Sequence, residues 1–271
     1  MSQERFELVA KLIADSTSIW IGAGAGMGVD SGLPDFRGDE GFWKAYPPYR
    51  NLGYSFYDLA NPKWFASKPA QAWGFYGHRL KLYRETIPHE GFQILRKWAR
   101  AKNDNCFVFT SNVDGHFQRA GFDEQQVVEC HGSIHYLQCS QPCSPHVWSA
   151  KIYEPVIDES TMLAADPLPA CERCGAMARP NILMFGDWNW VADRTHRQLA
   201  GYEPWLKNLS ERNVTLEFGA GTAVPTVRHE ASRASGTLVR VNPREPETPQ
   251  GISVACGALE FLKEVDSVLG W

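Results

Sequence analysis

The residues with the clearest chemical potential form one glycine-rich stretch, residues 24–38. The stretch follows a short apolar run at 18–21, so its glycines lie where a buried strand is expected to turn into a helix. Glycines let a backbone approach an anion closely, and the free amides at a helix N-terminus attract negative charge. A carboxylate, an aromatic ring and a guanidinium follow in the same loop, at Asp35, Phe36 and Arg37. This combination predicts a phosphate-binding loop.

Polar residues also follow two later apolar runs. One predicted strand, 106–110, leads into Ser111, Asn112 and Asp114, and the next strand ends at His131. Open parallel sheets bind ligands at the carboxyl ends of their strands. Because histidine accepts protons near neutral pH, His131 is a candidate general base, although a hydrogen-bonded strand-end histidine is the simpler alternative for that residue alone.

Two further turns repeat this arrangement. The segment 219–222, which contains Gly221 and Thr222, follows a predicted strand, and Asn242 ends the next one. A glycine turn can hold a phosphate, and an asparagine amide can bond a ribose hydroxyl. Three separate strand-end sites on one sheet edge predict a dinucleotide lying across that edge.

Four of the seven cysteines form two closely spaced pairs. Cys139 and Cys143 are followed, after 27 intervening residues, by Cys171 and Cys174. Two such pairs supply four thiolates for a tetrahedral ion, which leaves no open position for a substrate. The spacing therefore predicts a structural zinc site, with His146 as an alternative ligand.

Tyr76 and Arg79 lie three residues apart on a predicted helix, 70–85. At that spacing they share a helix face, where a phenol and a guanidinium could hold an acidic group. A solvated helix face is the alternative interpretation.

The elements that must position these residues alternate along the chain. Residues 39–70 carry many aromatic residues without a clear period and predict an irregular lobe. Elsewhere strands and helices alternate, which predicts an α/β fold: a doubly wound parallel sheet with helices on both faces. The predicted strands are 18–21, 106–110, 126–130, 181–185, 214–218 and 238–241, and the predicted helices are 4–15, 70–85, 90–101, 225–235 and 258–269.

The overall composition excludes several classes of protein. The 271 residues include 27 basic and 31 acidic ones, a net charge of −4, so nucleic acid is not expected as a partner. No apolar run is long enough to cross a bilayer, and the first residues do not resemble a signal peptide. We therefore expect a cytoplasmic protein with no membrane partner. An odd number of cysteines favours metal binding over a disulfide framework.

Taken in order, these motifs resemble those of the sirtuins, the NAD-dependent protein lysine deacylases. The similarity covers nearly the whole chain. It consists of Gly24-Ala25-Gly26 through Arg37, Asn112-Val113-Asp114-Gly115, His131-Gly132, the two cysteine pairs, Phe185-Gly186, Gly221-Thr222 and Val241-Asn242.

The resemblance implies one sirtuin-type domain over residues 1–271. Its Rossmann-like NAD-binding part would comprise 1–40, 88–135 and 181–271. A helical and cofactor-loop insert would occupy 41–87, and a zinc-binding insert 136–180.

The resemblance also implies the roles of individual residues. His131 would be the general base and Asn112 a second catalytic residue, with an acylated lysine on a protein as the substrate. The acyl oxygen would attack the NAD ribose as nicotinamide leaves, giving an alkylimidate and finally O-acyl-ADP-ribose. Tyr76 and Arg79 match a pair by which some sirtuins favour succinyl or malonyl lysine. The residues implied in NAD binding are Gly24, Ala25, Gly26, Asp35, Phe36, Arg37, Ser111, Asn112, Asp114, Gly221, Thr222 and Asn242.

The sequence departs from the family pattern at Gly28, Ser111, His116-Phe117 and 187–190. The last departure lies where the family pairs with its peptide, and it leaves two other functions open. One is an NAD glycohydrolase or protein ADP-ribosyltransferase, and the other is a non-catalytic sensor of NAD or ADP-ribose. The retained His131 favours deacylation.

Overall fold

The computed structural model describes residues 3–35 and 38–271. Its strands, in chain order, are β1 (Ser18–Ala23), β2 (Cys106–Thr110), β3 (Val127–Glu129), β4 (Gly132–Cys139), β5 (Val147–Ser149), β6 (Ile157–Asp158), β7 (Leu163–Ala164), β8 (Ala178–Ile182), β9 (Asn213–Phe218), β10 (Thr237–Val241) and β11 (Ile252–Val254). Its α-helices are α1 (Gln3–Asp15), α2 (Gly38–Ala45), α3 (Pro47–Asn51), α4 (Phe56–Leu59), α5 (Lys63–Ser67), α6 (Pro69–Glu85), α7 (Glu90–Ala101), α8 (His116–Arg119), α9 (Asp193–Lys207), α10 (Thr226–Ala231) and α11 (Ala258–Leu269).

Six strands form a central parallel sheet in the order β11-β10-β9-β1-β2-β3. Every residue of β1 is buried, as expected for a parallel strand covered on both faces. Along this strand Ile19 and Ile21 pack with α1, α7 and α11, whereas Trp20 packs on the opposite face with α9 and α10. The predicted doubly wound parallel sheet is therefore confirmed.

A second core lies outside the sheet. It joins α2 to α6 with the antiparallel sheet β5-β4-β8 and the β6–β7 hairpin, around rings such as Phe42, Trp73 and Phe75. The prediction that residues 39–70 lack regular structure is wrong, because this segment contains the four short helices α2 to α5. Each has eight residues or fewer, too few to show a sequence period, and tertiary packing of the aromatic side chains stabilises them.

The strand expected at 181–185 is also shifted. β8 covers Ala178–Ile182 and pairs antiparallel with β4, so its register follows that partner rather than the apolar run. Two of its buried residues, Arg179 and Asn181, are polar and find partners inside the protein.

No helix within the described residues has both the length and the apolar character needed to span a membrane.

Candidate functional site

The predicted site residues follow adjacent strands of the central sheet. Asn242 follows β10, Gly219 follows β9, Gly24 follows β1, Ser111 follows β2, and His131 comes two residues after β3. Neighbouring strands are about 4.8 Å apart, so these five points cover about 19 Å of one sheet edge. The edge is continuous, as the sequence predicts.

Two glycine turns meet at the centre of this edge. The amide of Gly26 donates to the carbonyl of Gly219 at 3.1 Å. A Cβ on Gly24 would lie 2.7 Å from Ala220 Cα, and one on Gly26 would lie 2.7 Å from Gly219 Cα. Both positions thus require glycine, because two backbones approach each other closely there. The packing of the two turns forms a glycine cradle, and it lies at the strand ends, where open parallel sheets bind ligands.

The rest of the glycine stretch forms a 3₁₀ helix, Ala25–Ser31. Gly28 lies within it, and a Cβ there would meet only the Leu33 side chain, 3.3 Å away. Of the predicted ligands in this loop, Asp35 is partly buried, whereas Phe36 and Arg37 lie outside the described residues.

The end of β2 is tied to the glycine loop. Asn112 donates its side-chain amide to the Gly24 carbonyl at 3.0 Å, and the Ser111 amide donates to the Ala23 carbonyl at 3.1 Å. Asp114 is buried, and its carboxylate accepts from the His116 amide at 2.9 Å. These bonds fix the backbone that carries the predicted nicotinamide pocket.

One residue beside this pocket was not identified from the sequence. His135 donates Nε2–H to the Asp114 carbonyl at 2.7 Å. It lies on β4, four residues beyond His131, and no local sequence signal connects it to Asp114.

His131 lies in the short connection between β3 and β4. Its carbonyl accepts from the Leu183 amide at 2.9 Å, and Gly132 follows it with a φ of +76°. A Cβ on Gly132 would lie 2.0 Å from the Asn181 carbonyl oxygen, so only glycine fits. Burial lowers the pKa of His131 below its usual value, while the nearby Ser111 carbonyl opposes that effect. The imidazole is therefore neutral at pH 7 and able to accept a proton.

The turn after β9 is held by an acidic residue that sequence reasoning missed. Glu245 accepts from the Thr222 amide and from the Thr222 hydroxyl, both at 3.1 Å. Asn242 is fully buried: its amide donates to the Ala220 carbonyl, and its oxygen accepts from the amides of Arg244 and Glu245. The side-chain bonds of Asn242 shape this turn.

Tyr76 and Arg79 share a face of α6, as the sequence predicts, but that face is buried. The guanidinium of Arg79 lies 5.7 Å from the centre of the Tyr76 ring and donates to the Tyr83 hydroxyl at 2.9 Å. The rings of Phe56 and Phe75 also lie within 5.7 Å of it. The alternative of a solvated helix face does not hold.

The four paired cysteines converge. Their sulfurs all lie within 4.8 Å of one another, with 3.7 Å between Cys139 and Cys174 and 3.7 Å between Cys143 and Cys171. A tetrahedral zinc ion with Zn–S bonds of about 2.3 Å requires sulfurs about 3.8 Å apart. The donor set and its spacing therefore fit a structural zinc ion. His146 is not part of this cluster and stacks on Trp148 instead.

The unusual segment 187–190 is firmly anchored. Asp187 forms a two-bond ion pair with Arg179, at 2.7 and 2.8 Å, with both side chains fully buried. Gln138 holds the far end through the Asn189 carbonyl and the Val191 amide. This rigid segment presents Trp188 almost entirely to solvent, 96% exposed.

Comparison with known proteins agrees with this geometry. The family model described as "Sir2 family" matches residues 24–202. "NAD-dependent protein deacylase 1" of Archaeoglobus fulgidus is 28% identical over 246 residues, covering 90% of this chain and 89% of that protein. "NAD-dependent protein deacylase" of Aeropyrum pernix is 28% identical over 270 residues, covering 96% of each chain.

The similarity extends to solved structures. One described as a Sir2 homolog–NAD complex is 27% identical, covers 97% of this chain and 93% of its own, and superposes with a TM-score of 0.68. The resemblance predicted from the motifs is confirmed, and the chain belongs to the Sir2 family.

Proposed function

We propose that the protein is an NAD-dependent protein lysine deacylase that releases nicotinamide and O-acyl-ADP-ribose. The observation that carries the proposal is the succession of a double glycine cradle, Asn112 and a neutral His131 along one sheet edge of a Sir2-family chain. The curated relatives named above carry the same activity in their names.

Each group of residues along the carboxyl edge of the central sheet would have its own role. Bound NAD would supply a ribose carbon that accepts the acyl oxygen as nicotinamide leaves. Gly24 and Gly26 would shape the turns that receive the phosphates, because a Cβ at either would collide with the backbone of Gly219 or Ala220. Asn112 and Asp114 would line the nicotinamide side, and His131 would take a proton from a ribose hydroxyl. The zinc ion would be structural, since four thiolates complete its coordination.

The preferred acyl group is a finer proposal. Arg79 sits among aromatic rings at low solvent exposure, 6%. In such surroundings a guanidinium attracts a carboxylate more strongly than it does in water. We expect an acyl chain that ends in a carboxylate, such as succinyl or malonyl, to be favoured over acetyl. Protein-borne acyl-lysine is the expected partner, and the reduced cysteines of a zinc site suit a cytoplasmic location.

The decisive experiment is mass spectrometry of NAD incubated with acetyl-, malonyl- and succinyl-lysine peptides. Peptide-dependent O-acyl-ADP-ribose supports deacylation. Free ADP-ribose formed without peptide supports the glycohydrolase alternative, ADP-ribose attached to protein supports the transferase, and unchanged NAD supports the sensor.

The general base is tested with a matched pair of histidines. His131→Ala should lower product formation by about 10²- to 10⁴-fold, because it removes the proton acceptor. His229→Ala, an exposed histidine on α10, should leave the rate unchanged. Full turnover by the His131 variant would contradict the assigned role.

A further inference from the structure

Three residues in the first turns of α9 bind Glu129, the last residue of strand β3. A guanidinium nitrogen of Arg194 lies 2.5 Å from the Glu129 carboxylate, with both side chains buried. Thr195 donates its hydroxyl to the Glu129 carbonyl at 3.1 Å, and the oxygen of Gln198 accepts from the Glu129 amide at 3.1 Å. Carboxylate, carbonyl and amide of one residue are thus held by a single helix.

Glu129 lies two positions before His131 in the chain. Between them, the Cys130 amide donates to the Thr110 carbonyl at 2.9 Å, and beyond them Leu183 holds the His131 carbonyl. His131 therefore lies in a short turn. Glu129 fixes the backbone before this turn, and Leu183, just after β8, fixes the backbone at His131 itself. A shift of Glu129 would move the turn that carries His131.

Arg194 is itself held in place from outside. Its guanidinium stacks 4.2 Å from the centre of the Tyr136 ring, and its Nη2 also bonds Glu124 at 2.7 Å. Buried ion pairs contribute little net stability compared with apolar replacements of similar volume. What such a pair does supply is a fixed partner, because moving Glu129 away from Arg194 would leave two buried charges unpaired.

We propose that Arg194 is a positioning residue for the base: through Glu129 it fixes the turn that places the His131 imidazole against the reacting ribose. The inference rests on the proposed deacylase function. It assigns Arg194 no contact with substrate.

The test separates two steps of the proposed reaction. Exchange of labelled nicotinamide into NAD, measured with an acetyl-lysine peptide, requires binding and ribose cleavage but not the base. Product formation requires all three. Arg194→Met should lower product formation by about 10- to 100-fold, as expected for a catalytic group displaced by about 1 Å. Exchange and the KM for NAD should stay within about twofold of wild type, the pattern also expected of His131→Ala.

Two variants separate positioning from folding. Because Arg194→Met leaves a buried carboxylate unpaired, the double variant Glu129→Gln/Arg194→Met removes that charge as well and should unfold close to the wild-type temperature. It should nevertheless keep the raised ratio of exchange to product. Arg194→Lys, which keeps the charge but loses the planar guanidinium over the Tyr136 ring, should lie between wild type and Arg194→Met. If both methionine variants fail to fold, the ratio measured for Arg194→Lys decides.

The control is Glu203→Gln, which removes a partly exposed ion pair of the same helix, Glu203 with Arg233 at 2.8 Å, and leaves the pair of Arg194 and Glu129 intact. Its exchange-to-product ratio should equal that of wild type. An equal loss of exchange and product in the Arg194 variants would overturn the positioning role while leaving the deacylase function intact. A wild-type protein that forms no product would overturn both.

Discussion

The contact between the two glycine turns makes a sharp prediction about neighbouring glycines. Gly26→Ala should weaken both folding and NAD use, whereas Gly28→Ala should do neither. Both residues lie in the same 3₁₀ helix, and neither has a positive φ, so backbone conformation does not distinguish them. Only the surroundings of the new Cβ differ.

The magnitude follows from those surroundings. At Gly26 the Cβ would lie 2.7 Å from Gly219 Cα, and since ordinary carbon contacts are about 3.5 to 4.0 Å, the second turn must retreat by about 1 Å. Overpacking of this kind costs about 1 to 3 kcal/mol. The hydrogen bond from Gly26 to Gly219 weakens by about 1 kcal/mol, and reduced unfolded-state entropy returns about 0.4 to 1 kcal/mol. A net loss of about 2 kcal/mol lowers Tm by about 4 to 8 °C.

At Gly28 the Cβ would meet only the flexible Leu33 side chain, at 3.3 Å. That side chain can move by a few tenths of an ångström, so Gly28→Ala should stay within about 0.5 kcal/mol of wild type.

Thermal unfolding and steady-state kinetics with varied NAD test the pair. A turn displaced by about 1 Å can lower kcat/KM for NAD by up to about 100-fold in the Gly26 variant. The reasoning is refuted if the Gly26 and Gly28 variants share the same Tm and the same KM for NAD.

Three further predictions concern the metal, a buried histidine and the acyl group. Removing zinc with a chelator should lower Tm and release about one zinc per chain, because the ion stabilises only the folded cysteine cluster; an unchanged Tm would contradict this. His116 is fully buried with both ring nitrogens unpartnered, and burial lowers its pKa. The folded protein therefore holds His116 in its neutral form. Above about pH 6.5 the unfolded chain is neutral there as well, but at lower pH the unfolded chain binds a proton and the free energy of unfolding falls. Hence His116→Leu should raise the urea midpoint, more at pH 5.5 than at pH 7.5, and an equal gain at both would exclude the pH effect. Arg79→Met should lower the succinyl-to-acetyl ratio of kcat/KM at least tenfold, whereas a ratio unaltered by the substitution would remove the acyl assignment.

The sequence predicts the parallel sheet because its strands are short, apolar and separated by helices with long apolar stripes. The helices α6 and α7 begin and end within a residue of the predicted bounds. Helix α9 cannot be predicted from an apolar stripe, because its sequence is largely polar and its buried face includes Arg194, Thr195 and Gln198. These residues are buried because they bond Glu129 and Glu124, far away in the chain, and periodicity carries no information about such partners. The division of the chain into 1–40, 88–135 and 181–271 with two inserts stays a prediction.

The candidate site divides in the same way. Spacing alone indicates the cysteine cluster, because a zinc site needs only two short pairs. Strand ends indicate Asn112 and His131, because the carboxyl edge of a parallel sheet collects whatever follows each strand. The bond between Thr222 and Glu245 has no such signal, although an acidic side chain next to the predicted phosphate turn bears directly on ligand binding.

That bond sharpens the picture of how the edge would receive a dinucleotide. The two donors of Thr222 already face a carboxylate, so an anionic phosphate could use them only by displacing Glu245, against the attraction of Arg228 for the same side chain, 3.3 Å away. The turns of Gly24, Gly26 and Gly219 carry no side-chain carboxylate of their own, and backbone contacts alone join them. We therefore expect the phosphates to lie over the glycine cradle and Glu245 to keep its place, so that Glu245→Gln changes the KM for NAD far less than Gly26→Ala does. A KM shift of similar size in both variants would assign the phosphate to Thr222 instead.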